Sequence, residues 1–183
     1  MSAADYPRVD VKTAADWRRW LQGHHAKARG AWLVSCRRVT GKPAVEYDDA
    51  VREALCYGWI DSVVKPLDGE RTISLYTPRK AGSGWSRSNK DRVKALVAEG
   101  RMSAAGLAKI TAAKKDGSWT LLDSVEALET PGDLRKALGT AGLKRFDALT
   151  NGKKREHLYA LVIAKRPETR AKRVSDVVRS LKP

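Results

Sequence analysis

The chain has 183 residues, 42% of them hydrophobic, with six tryptophans and a formal charge of +15. This suits one domain with a small appendage and excludes a disordered chain. At that length roughly 70% of the unfolded surface can be buried, so no disulfide framework or structural metal is required.

Thr13 opens TAADWRRWL, a capping-box pattern with Asp16 at the third helical position. Trp17, Trp20, Leu21 and His24 then fall on one helical face. GAWLVSCRR follows as a half-buried strand, with Trp32, Val34 and Cys36 alternating against Leu33, Ser35 and Arg37. TGKP turns the chain, and DDAVREALCYGW reads as a short helix with acids in its first turn and Gly58 near its end.

Residues 59–78 read as a β-hairpin whose Asp68-Gly69 turn supplies positive φ angles, with Pro66 at a strand end or sheet edge. A helix capped by Ser88 with Asp91 follows and ends at Gly100. Ser103 begins an alanine-rich helix that ends near Gly117. Thr130-Pro131-Gly132-Asp133 restarts helix formation, with Thr130 as cap and Pro131 first in the helix. From there the chain is expected to be helical, broken at Gly139, at Asn151-Gly152 and at Pro167, with Val174, Val177, Val178 and Leu181 on one stripe.

The fold class is therefore α+β: N-terminal helices packed on a small antiparallel sheet, then a small all-helical C-terminal domain. The expected division is 1–117 for the α+β domain, 118–130 for a connector and 131–183 for the basic helical domain. The longest apolar run, residues 158–164, is too short to span a bilayer. The first ten residues lack a secretory pattern. A soluble, cytoplasmic protein without membrane insertion is expected.

The stretch PRKAGSGWSRSNKDR, residues 78–92, combines five cations, three serines and one tryptophan around Gly82 and Gly84. A glycine turn of this kind can aim successive N–H groups at an anion, and the next helix adds its positive end. The expected ligand-binding residues are Trp59, Asp61, Arg79, Lys80, Ser83, Trp85, Ser86 and Asn89. Arg79 and Lys80 neutralise charge, the serines orient the ligand, Trp85 closes the site and Asp61 positions a cation or ligand hydroxyl. The alternative is structural, with Ser88 capping, Trp85 in the core and the cations solvated. The stretch is neither a P-loop nor a nucleophile elbow.

ALCYGWIDS, residues 54–62, offers Asp61 as a general base or Cys56 as a nucleophile, against a reading of both as packing and ion-pairing residues. More than half of the excess charge lies in residues 144–183. There Lys165, Arg166, Arg170, Lys172 and Arg173 form a weak nucleic-acid candidate, set against a solvated helix face. Cys36 and Cys56 have no metal-ligand spacing with His24, His25 or His157. No metal or cofactor is expected.

WRRWL (17–21), ALCYGWIDS (54–62), TPRKAGSGWSRSNKDRV (77–93), GRMSAAGL (100–107) and AKRPETRAKRV (164–174) occur in this order. Together they resemble the YdeI/OmpD-associated family, also called bacteriocin-protection proteins. The resemblance implies a role in resistance to antimicrobial peptides, association with an outer-membrane porin, and a C-terminal helical domain from about Pro131. It brings no catalytic mechanism or cofactor. The combined expectation is a non-catalytic protein that holds a phosphate-bearing or other anionic small molecule and serves stress resistance. The alternatives are a nucleic-acid-binding protein, or an enzyme using Asp61 or Cys56.

Overall fold

The computed structural model describes residues 3–182, without the side chain of Arg38. The chain divides into two compact units. The first runs to Ser83 and resumes over Ser88–Ser118; the second joins Gly84–Arg87 to the residues from Trp119 onward.

In the first unit, strands β1 (Arg8–Asp10), β2 (Ala31–Cys36), β3 (Trp59–Pro66) and β4 (Arg71–Pro78) form one sheet in the order β1-β2-β4-β3. Three of them are antiparallel, and β1 joins β2 in parallel. This makes the sheet mixed, a correction to the antiparallel expectation. Three residues carry too little pattern to be read as a strand, and β1 exists because β2 offers it an edge.

Helix α1 (Ala14–His24) starts as its sequence predicts: the Thr13 Oγ1 accepts from the Asp16 N–H at 3.1 Å and donates to the Asp16 carboxylate at 2.7 Å. Helix α2 (Tyr47–Cys56) buries Ala50, Val51, Ala54, Leu55 and Cys56. Together they cover one sheet face, where the rings of Trp17 and Tyr76 meet at 5.3 Å. The other face carries Trp32, Val34, Ile73 and Leu75 under Tyr6 and Leu67. Since both faces are covered, Ala31–Val34 are all buried, and the half-buried pattern expected for β2 does not hold.

The hairpin forms without the expected positive φ at Gly69. The Asp68 carboxylate closes it instead, accepting from the N–H groups of Glu70 at 2.9 Å and Arg71 at 2.8 Å. Pro66 ends the edge strand β3, where its missing N–H costs no ladder bond. Between the pairs Asp61↔Tyr76 and Val64↔Ser74 the register shifts. Ser62 and Val63 therefore stand against Leu75 as a β-bulge, which bends the strand beside Asp61.

Helix α3 (Arg87–Ala98) begins one residue before Ser88, so Ser86, not Ser88, stands at its entrance. Helix α4 (Ala104–Lys115) is capped by Ser103, whose hydroxyl accepts from the Gly106 N–H and donates to the Cys56 carbonyl at 2.6 Å. A Cβ at Gly106 would collide with that carbonyl, so the α4–α2 contact requires glycine there.

A buried carboxylate ties these helices together. Glu53 of α2 is 2% exposed. Its Oε2 accepts from Arg18 of α1 at 2.7 Å and its Oε1 accepts from Arg101. Arg18 also donates to the Arg101 carbonyl at 2.9 Å.

The second unit contains α5 (Asp123–Glu126), α6 (Gly132–Asp147), α7 (Asn151–Val162) and α8 (Pro167–Ser180). Pro131 is the N-cap of α6 rather than its first residue, and Gly139 breaks that helix at φ 60°. The helical chain is broken between α6 and α7 as expected, with Asn151-Gly152 opening α7 behind a Thr150 cap. Leu134, Phe146, Leu158, Leu161 and Val177 form the core, with Val125 of the expected connector packed among them. Among the described residues no helix is long and apolar enough to cross a membrane.

Replacing Glu53 by Gln leaves two part-exposed guanidinium groups that water can reach. Removing both arginines leaves a carboxylate buried without partners, the costlier arrangement. In urea unfolding followed by tryptophan fluorescence, Glu53→Gln is expected to cost about 1–3 kcal/mol. Arg18→Ala with Arg101→Ala is expected to cost about 3–5 kcal/mol. Equal losses would contradict the assignment.

Candidate functional site

The glycine turn does hold an anion, and that anion is part of the chain. Gly82, at φ 72°, donates its N–H to Asp116 Oδ2 at 3.1 Å. The Ser118 N–H donates to Oδ1 of the same carboxylate at 2.9 Å. Hydrogen bonds from Ser118, then from Gly82, hold the Asp116 carboxyl below its usual range. The Ser83 hydroxyl is turned to the Lys80 carbonyl at 2.7 Å.

Arg79 is 5% exposed and Lys80 is exposed, so the two neighbouring cations occupy opposite environments. Burial lowers the Arg79 pKa to about 10, with the Asp61 charge opposing. The Arg79 N–H donates to the Gly58 carbonyl at 2.9 Å, which fixes the backbone where it leaves β4. Asn89, on α3, accepts from Arg92 at 3.0 Å. Trp59 is 1% exposed, with its ring edge-on to Trp20 and its N–H on the His25 carbonyl at 3.3 Å. Trp85 and Ser86 group with the second unit, where Trp85, also 1% exposed, packs 4.9 Å from Trp119.

Cys56 is fully buried, and burial pushes its thiol pKa up. An attacking thiolate needs the opposite shift. Within the C-terminal unit, Arg170 forms a two-point ion pair with Asp133, at 2.6 and 3.0 Å, and donates to the Leu161 carbonyl at 3.1 Å. Arg173 donates to the Ala160 carbonyl. These two cations satisfy carbonyls in the last turn of α7, where a helix lacks internal donors. Lys165, Arg166 and Lys172 are exposed. Among the described residues no group of three His, Cys, Asp or Glu is gathered to hold a metal.

A hollow of the first unit lies elsewhere. Where α2 begins, the sheet face it covers continues uncovered, and a groove of about 630 Å³ opens there. Its floor is built by cross-strand neighbours of β2 and β4. Leu33 pairs with Ser74, and Ser35 with Thr72. Its wall is the segment from Gly41 to the first turn of α2, including Lys42, Val45, Tyr47 and Asp48. Tyr76 closes the inner end.

Asp61 reaches this wall through Tyr47, whose hydroxyl donates to Asp61 Oδ2 at 2.7 Å. Burial first, and then the bond to Asp61, push the Tyr47 pKa up to about 12. Of the residues expected to bind ligand, Asp61 is thus joined to a groove-lining side chain. Sequence reasoning missed Ser35, Tyr47, Thr72 and Ser74. The available signal was the change from Leu33 and Tyr76 to Ser35, Ser74 and Thr72 along one face. It becomes visible only once the β2–β4 register is known.

Residues 9–109 match the family model of a domain of unknown function, DUF8412. The chain belongs to that family. Residues 127–182 match a second model, described as bacteriocin-protection, YdeI or OmpD-associated. No curated protein and no solved structure matches the chain. The YdeI/OmpD-associated resemblance, read above across nearly the whole sequence, is matched by that family's model in the C-terminal helical part alone. The groove, from Leu33 to Tyr76, lies wholly within the DUF8412 match.

Asp61→Asn removes the negative charge that disfavours the Tyr47 phenolate, so the Tyr47 pKa is expected to fall from about 12 toward the ordinary 10.0. Alkaline absorbance titration, with Tyr47→Phe subtracted, measures this. An unchanged value would show that burial alone sets the shift.

Proposed function

We propose that this DUF8412 protein is a binding protein with no reaction of its own, holding a small molecule in the groove beside the start of α2. The observation that carries this reading is the groove itself. It is hydroxyl-floored, part-apolar and within the roughly 300–1,000 Å³ typical of small-molecule sites. The two residues the sequence offers for catalysis support a non-catalytic role. Cys56 is buried with a raised pKa, and Asp61 is hydrogen-bonded to Tyr47.

A phosphate-bearing ligand in the glycine turn would have to displace Asp116 from the Gly82 amide, whereas the groove needs no such exchange. The YdeI/OmpD-associated match supplies the link to bacteriocin protection that its family description names. At +15 the chain repels cationic peptides within a Debye length of about 8 Å at physiological salt. In this reading protection works through the bound small molecule or a shared anionic target rather than by capture of the peptide.

Native mass spectrometry of the full chain after incubation with a small-metabolite extract tests the site. Wild type and Lys80→Ala are expected to retain a small-molecule adduct that Ser74→Leu, which fills the groove floor, loses. Thermal melting establishes that each variant is folded. Loss in Lys80→Ala with retention in Ser74→Leu would move the site to the glycine turn.

A further inference from the structure

The charges around the groove restrict what it can hold. The Lys42 ammonium lies 2.5 Å from Glu70, and the Asp48 carboxylate is bound by Arg92 at 2.7 Å. Asp61 accepts from Tyr47 at 2.7 Å, and Glu46 is likewise engaged within the chain. A phosphate or carboxylate entering here would meet Glu46 and Asp48 on the wall and would have to pull Lys42 from its partner. An ammonium or guanidinium group would have to replace Arg92 on Asp48, in a chain whose overall charge already repels it.

Hydroxyl chemistry meets neither obstacle. Ser35, Thr72 and Ser74 place three hydroxyl groups on the groove floor; that of Thr72 donates to the Ser35 carbonyl at 3.5 Å and can still accept. Because the Tyr47 O–H is directed to Asp61, its oxygen is left to act as an acceptor toward any further partner. The half-exposed Tyr47 ring and the side chains of Val45 and Val64 add flat apolar surface suited to C–H faces. Hydroxyl groups, apolar patches and an aromatic ring in one cleft match a molecule that alternates O–H and C–H surface.

We infer that the groove takes a neutral polyhydroxylated ligand, a saccharide or polyol. This rests on the groove being the binding site and adds the ligand's chemical class. Each hydrogen bond to a floor hydroxyl contributes modestly, because the same groups are hydrated when the groove is empty. Affinity therefore comes from several such bonds together with the apolar contact.

The test is amide chemical-shift mapping on the ¹⁵N-labelled full chain. The neutral probes are glucose, N-acetylglucosamine, trehalose, maltotriose and inositol, and inorganic phosphate and spermidine are the charged ones. At least one neutral probe is expected to move amides in residues 33–36, 44–48 and 72–76, and phosphate and spermidine are expected to leave them in place. For that probe Ser74→Ala is expected to raise Kd about three- to ten-fold, the loss of one hydrogen bond. Thr72→Val, similar in shape, gives a second measure should Ser74→Ala disturb the floor. Movement of these amides by phosphate or spermidine alone would overturn the ligand class and keep the groove. Movement confined to residues 79–90 would overturn both. No movement with any probe would overturn the class. If Ser74→Leu also retained its extract adduct, the groove would fall with it.

Discussion

Glu53 sits at 2% exposure between the guanidinium groups of Arg18 and Arg101, and the layout of the first unit follows from satisfying it. A carboxylate taken out of water is costly unless charged donors replace its hydration. Its two donors come from α1 and from the segment before α4, so the ion pairs tie α1, α2 and that segment together. Trp17 strengthens the same junction through its N–H on the Ala50 carbonyl at 3.2 Å. With α2 held in this way, its first turn ends short of the Ser35–Thr72 pair of β2 and β4. The uncovered remainder of the sheet face is the groove.

The basic character of the chain has more than one meaning. Arg170 and Arg173 lie in the richest stretch of positive charge, yet Arg170 is directed at Asp133 and the Leu161 carbonyl, and Arg173 at the Ala160 carbonyl. Arg79 is buried beside Asp61, and Arg92 is bound to Asp48 and Asn89. In the first unit Arg18, Arg52 and Arg101 serve Glu53 and Glu99. Much of what looks like an affinity for anions is thus the packing of guanidinium groups against the chain's own carboxylates and carbonyls. Arginine suits this work because its planar donors match carboxylate geometry.

Local chemistry was legible in the sequence. The Thr13–Asp16 and Ser103 caps, the Gly139 break, Pro167 at the start of α8 and the buried Val174–Val177 stripe all depend on residues within a few positions of each other. The α+β class followed from the same periodicities. What escaped depends on long-range partners. The glycine turn was read as a place for an anionic ligand, while Asp116, 34 residues away, accepts from its Gly82 amide. The hairpin was visible, whereas the Asp68 carboxylate replaced the positive φ assigned to its turn. The groove floor joins Ser35 to Thr72 and Leu33 to Ser74, pairings set by strand register rather than by any local motif.

In the proposed function the uncovered sheet face beside α2, and not the glycine turn, meets the ligand. Hydrogen–deuterium exchange on the full chain, with and without the small-molecule fraction it retains, compares the two regions in a single experiment. The account predicts slowed exchange in residues 44–50 and 72–76, with residues 79–90 unchanged. Protection confined to residues 79–90 would contradict it.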